Sequence, residues 1–137
     1  GQRATEPKAE LRNSIVVVDR AGRMIEAWTQ WDSLFEGSGP HKIRISPYDP
    51  QKHVWVVNDG KHQIHKFTND GKTLVQTIGE PNVHASDQTH FYRPTFMAFQ
   101  PDGREIERVI EVGRRTGAAS AVHTRSVETA ARWPANR

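Results

Sequence analysis

Between residues 14 and 103 apolar and polar positions alternate in short bursts, and each burst ends in turn residues. "SIVVVDRAGRMIEAW" predicts a strand, a polar turn at Gly22 and a second strand. In "SGPHKIRISP", Lys42, Arg44 and Ser46 alternate with Ile43 and Ile45, the period of a half-buried strand. Pro40 stands ahead of that strand, where its missing N–H breaks no ladder bond, so His41 opens it. The pattern predicts strands over 40–46, 53–58, 63–68 and 73–78, joined by turns at 48–52, 59–62 and 69–72. Gly, Asp and Asn cluster in these turns because they lower the cost of reversing the chain.

The pattern repeats. "VVDRAGRMIEAW" matches "KFTNDGKTLVQTIG" with Gly22 against Gly71, an offset of 49. "GPHKIRISPYDP" matches "RPTFMAFQPDG", with Pro40 against Pro94 and Pro47 against Pro101, an offset of 54. Four short antiparallel strands in each of several such units predict all-β architecture built from β-propeller blades. Residues 14–30 supply the outer half of one blade, 40–79 a whole blade, and 94–100 the first strand of a third. Under two blades cannot close a ring, and a blade needs neighbours to bury its faces. The chain is therefore expected to be a fragment of about one and a half to two blades, with residues 1–13 disordered. Its start at Gly1 rather than Met fits that expectation.

After "QPDG" the rhythm stops. Residues 104–137 are rich in Arg and Ala, and Ile106, Val109, Ile110 and Gly113 have helical spacing. The expectation is an aberrant tail, irregular or helical, from an out-of-frame or misassembled end.

Charge adds little. The net charge is +3, but residues 1–103 balance twelve cations with twelve acids, and the excess lies in the seven Arg and four Glu of 104–137. No basic face interleaved with aromatics stands in 1–103, which argues against nucleic acid as a partner. With no cysteine, disulfides and Cys-based zinc sites are excluded. No apolar run approaches the ~18 residues of a membrane span, and no signal peptide is visible.

The strand-and-turn segments above, with "SDQTHFYRPTFMAFQPDG", resemble the NHL-repeat six-bladed propellers. More narrowly, they resemble the peptidyl-α-hydroxyglycine α-amidating lyase (peptidylamidoglycolate lyase) family and its bacterial relatives, over about residues 14–103. The resemblance implies a lyase that splits peptidyl-α-hydroxyglycine into peptide amide and glyoxylate. It implies zinc, held in the central channel by three histidines that each follow a proline at the start of an innermost strand. His41 matches that motif, and the carbonyl of Ile43 matches a structural calcium ligand. Zinc there would serve as a Lewis acid with one coordination position open. The family's other two histidines, its catalytic tyrosine (in an Asp-Gly-Tyr motif due soon after Gly103) and its substrate-binding arginine (due before Ser14) have no counterpart here. No catalytic residue is assigned, and neither zinc nor calcium is expected to bind tightly to this chain alone. Asn58 and Phe96 stand where relatives often carry Asp, which affects turn or strand-edge bonding. The resemblance further implies a peptide-like substrate, an extracellular or periplasmic location, and remaining blades from the rest of a parent chain. A different reading of the same repeats is a non-catalytic NHL propeller that binds a protein or ligand through its loops, with His41 only capping a strand.

Other candidates read more plainly. His62 and His65 alternate poorly on a strand whose buried contacts go to Ile64 and Phe67, so His62 is expected to bond within its turn. His84 and His90 flank "ASDQT", where Asp87 and His90 are expected to fix the loop through backbone bonds. His53 and His123 have no partner at metal spacing, and Trp28, Trp31 and Trp55 suit packing between blades. No Ser-His-Asp order, phosphate-cradling loop or His-Glu helix motif appears.

Overall fold

The computed structural model describes residues 10–85 and 89–101 in full, and 108–112 and 122–126 as backbone strands. The described residues form three antiparallel sheets. Strands β1 (Val16–Val18) and β2 (Met24–Ala27) make a hairpin, followed by a 3-10 helix over Thr29–Phe35. Strands β3 (Lys42–Ile45), β4 (Val54–Asn58), β5 (Gln63–Phe67) and β6 (Leu74–Ile78) form a four-stranded meander paired in sequence order. Strands β7 (Pro94–Ala98), β8 (Arg108–Val112) and β9 (Val122–Ser126) form the third sheet. Strands β1 to β7 lie where the alternation predicts them, with β3 to β7 a residue or two shorter at their ends.

The register divides the middle sheet into two faces. Trp55, Val57, Ile64 and Ile78 share one face and pack with Phe91 and Met97, beside and within the third sheet. Val54, Val56 and Phe67 share the other, against Ile15, Trp28 and Phe35 of the first. Sheets on both sides explain why every residue of β4 and β5 is buried. The tryptophans lie between sheets, as their spacing suggests. Trp28 and Trp31 tilt against Phe67, with ring centroids 5.9 and 5.4 Å apart, and Trp55 tilts against Phe99 at 6.2 Å.

Three expectations need correction. The alternation in 42–46 predicts a half-buried strand, yet Ile43 and Ile45 are 45% and 47% exposed. As the edge of its sheet, β3 extends past the cover that the β1–β2 hairpin gives its apolar face. Its polar face is exposed as well, although Lys42 and Arg44 lie over the Phe96 ring at 5.4 and 4.8 Å.

A helical or irregular tail is expected after Gly103, but Arg108–Val112 and Val122–Ser126 are strands that extend the sheet from β7. Val109, Ile110 and Val112 are β-branched, and pairing gives the β7 backbone the partners it would otherwise lack. Ile106 and Gly113 lie outside the described residues. At the other end, Glu10–Asn13 fall in the stretch expected to be disordered. Residues 1–9 of that stretch lie outside the described residues, whereas the backbone N–H groups of Asn13 and Ser14 donate to Asp32 at 3.0 and 2.8 Å and tie the end of the stretch to the 3-10 helix. Among the described residues no helix is long and apolar enough to cross a membrane.

Candidate functional site at the strand-start rim

Antiparallel order puts the first residues of β3 and β5 and the last residues of β4 and β6 at one end of the middle sheet. His41, expected as the first residue of β3, immediately precedes it at this rim. Its backbone N–H donates to the Val57 carbonyl at 2.8 Å, and its imidazole is exposed. Ile43 follows two residues later in β3. Among the described residues no three His, Asp or Glu side chains converge as a metal site, so His41 stands as one imidazole.

The turn between β4 and β5 supplies the rest of the rim. Asn58 closes β4, fully buried, with its side-chain amide donating to the Leu34 carbonyl at 2.7 Å. Asp59 follows, and its buried carboxylate accepts from the Arg93 guanidinium at 2.7 Å. Arg93 immediately precedes β7, so this ion pair bridges two sheets. His62 adds a second bridge, for its Nδ1 accepts the backbone N–H of Arg93 at 3.0 Å. His62 does bond within its own turn, as expected, through its backbone N–H to the Asp59 carbonyl at 3.3 Å, while its ring is turned across to the residue that precedes β7. Its ring also stacks on Tyr92, with centroids 5.9 Å apart at 16°, and lies 5.4 Å from the His84 ring. Desolvation first, then the nearby His84 and Arg93, lower the His62 pKa against the pull of Asp59. His62 is therefore held neutral.

His65 was expected to be secondary to Ile64 and Phe67 but is 1% exposed in the middle of β5. Its Nδ1 pairs with Thr77 Oγ1 at 3.0 Å, while its Nε2 has no hydrogen-bond partner. The Phe35 ring meets the imidazole edge-on at 5.6 Å. Burial, helped by Lys61, lowers its pKa to about 4.

Elsewhere the sequence readings hold in part. His53 Nδ1 lies 2.7 Å from Asp49 Oδ2, a pair that closes the turn before β4. His90 contacts Thr89 Oγ1 at 3.1 Å, while Asp87 and the side chain of His123 lie outside the described residues. The Asp59–Arg93 and His62–Arg93 bridges have no local signature, since 34 and 31 residues separate the partners. The cue available was that Asp59-Gly60 and Arg93-Pro94 each border a strand end.

No family profile matches the chain. One curated relative is 30% identical over 94 residues: a probable peptidyl-alpha-hydroxyglycine alpha-amidating lyase of Caenorhabditis elegans. The likeness is to a lyase. It covers 66% of this chain but 24% of the worm lyase, so the chain spans about a quarter of the relative it matches. Together with the strand-rich fold, the similarity supports a loose, lyase-like kinship.

Proposed function

We propose that this chain is part of an NHL-type propeller lyase that cleaves peptidyl-α-hydroxyglycine to peptide amide and glyoxylate. The observation that carries this reading is His41, an exposed imidazole whose backbone is pinned at the start of an edge strand. The lyase-like relative supports it. In a closed ring the innermost strands of several blades start near one axis, so histidines at equivalent positions supply the nitrogen ligands of zinc. The Ile43 carbonyl would serve calcium on the same axis.

The described residues do not make a zinc centre by themselves. A catalytic zinc takes three protein ligands, and here one imidazole stands without a converging partner. What this chain contributes is position. The Val57 carbonyl fixes the His41 backbone, and Lys42 and Arg44, stacked on Phe96, hold β3 against β7. The reading carries with it a peptide-like substrate and an extracellular or periplasmic location.

The test is expression of a longer open reading frame that contains residues 14–103, followed by metal analysis and a glyoxylate-release assay on an α-hydroxyglycine-extended peptide. Bound zinc and turnover, both lost in His41→Ala, are expected. A folded, zinc-free and inactive protein would replace this reading with a binding propeller.

A further inference from the structure

The rim holds a second arrangement, independent of His41. We propose that Arg93 and His62, with the rings of Tyr92 and His84, form a binding site for a small aromatic carboxylate.

The donors come first. A neutral imidazole that accepts a hydrogen bond at Nδ1 carries its proton on Nε2. His62 accepts from Arg93 at Nδ1, so its Nε2–H is a donor, and no acceptor for it stands among the described residues. The Arg93 guanidinium gives one N–H to Asp59 Oδ2 at 2.7 Å. Its other side-chain donors have no acceptor among the described residues, and the side chain is 51% exposed. Asp59 is buried behind it. A guanidinium pinned from the rear with a free edge facing water is arranged for a carboxylate, which it grips with two parallel bonds.

The backbone supports the same reading. His62 and Arg93 both adopt positive φ, 61° and 48°, and Asn82 on the same rim has φ 64°. Each such conformation costs a non-glycine residue on the order of 1–3 kcal/mol, and such strain clusters where a ligand is held. The rings supply an apolar surface. Tyr92 stacks on His62, and His84 meets Tyr92 edge-on at 5.5 Å. An aromatic group joined to the carboxylate would lie against this surface while its charge meets Arg93.

A metal does not suit the cluster. The 5.4 Å between the His62 and His84 centroids fits two ligands on one ion. However, His62 Nδ1 is occupied and its Nε2 carries hydrogen, so the neutral ring has no lone pair to give. The carboxylate site also stands whether or not the lyase reading does, because no residue in it is a proposed zinc or calcium ligand.

The test titrates the 137-residue chain with N-benzoylglycine and follows the Arg93 and His62 signals by two-dimensional NMR at pH 7.5. Saturable shifts at both residues are expected. Benzamide, which keeps the ring without the charge, and acetate, which keeps the charge without the ring, should both bind more weakly. Arg93→Lys keeps a cation for Asp59 but loses the planar fork, and should weaken N-benzoylglycine about tenfold. Unmoved Arg93 and His62 signals, or acetate binding as tightly as N-benzoylglycine, would overturn the site on the unmodified chain. Equal affinity in Arg93→Lys would overturn it too.

Discussion

The indole N–H of Trp31 donates to the Gly71 carbonyl at 2.7 Å, and the Gln30 side-chain amide donates to the same oxygen at 3.0 Å. The 3-10 helix thereby clasps the turn between β5 and β6. Gly71 itself has φ +67°, and a Cβ there would overlap the Trp28 indole. Both the left-handed backbone and the close ring require glycine.

Gly71→Ala should therefore cost about 3 kcal/mol, roughly 1 from backbone strain and the rest from overpacking. Gly22 has a similar φ of +80° but open space around its Cβ position. Gly22→Ala should cost only about 1 kcal/mol, from strain alone. Urea unfolding midpoints of the two variants separate the terms, and equal losses would show that Trp28 gives way without cost.

Buried His65 makes stability depend on pH. Its folded-state pKa is about 4, against 6.5 for the free side chain. The unfolded chain takes up the proton first, so the contribution is complete above pH 6.5 and is lost as pH falls toward 4. The loss over that window should be about 3 kcal/mol. Unfolding free energies measured between pH 7.5 and 4 check it, and His65→Leu should flatten that part of the slope.

In the sequence Asn58 stood out only through the family resemblance. The fold supplies a use for the amide, which donates to Leu34 O at 2.7 Å and accepts the Lys61 N–H at 3.2 Å. Asn58→Asp would set a buried carboxylate against a carbonyl and lose the donor, a cost of about 2 kcal/mol at pH 7. The deficit should shrink in acid, where a protonated carboxyl regains a donor. Thermal midpoints at pH 7 and pH 4, each compared with the parent protein, give the readout.

The isolated chain should neither hold zinc stoichiometrically nor release glyoxylate, because a lone exposed imidazole cannot supply the coordination of its missing partners. Metal analysis of the purified chain tests this. Stoichiometric zinc with turnover abolished by His41→Ala would mean that copies of the chain rebuild a site together.

The strands and turns were legible because their signals are local: alternation in Lys42–Ile45, and Asp, Asn and Gly in the turns at 59–62 and 69–72. What covers each face was not. Ile43 and Ile45 read as buried from their period, yet burial depends on the neighbouring sheet and not on the strand. His65 failed in the opposite direction, since a strand between two sheets buries even its polar members. Helical spacing around Val109 lost to the pairing of β7, a tertiary demand that a short window of sequence does not contain. The rim bridges escaped for a similar reason, because Asp59, His62 and Arg93 meet only once two sheets lie side by side.

The two walls of the middle sheet lie on opposite sides of it in chain order, and this gives its folding a timetable. During synthesis the hairpins of β3–β6 can zip within microseconds of emerging, and the upstream wall of Ile15, Trp28 and Phe35 is already present. The face bearing Trp55, Val57, Ile64 and Ile78 has no cover until Phe91 and Met97 follow, the latter 19 residues past Ile78. At ribosomal speeds of about 5–20 residues per second, that face stands open to water for roughly 1–4 s. A rare-codon pause between positions 79 and 97 would prolong the exposure, so capture by chaperones or aggregation should depend on translation rate across that interval more than on the stability of the finished fold.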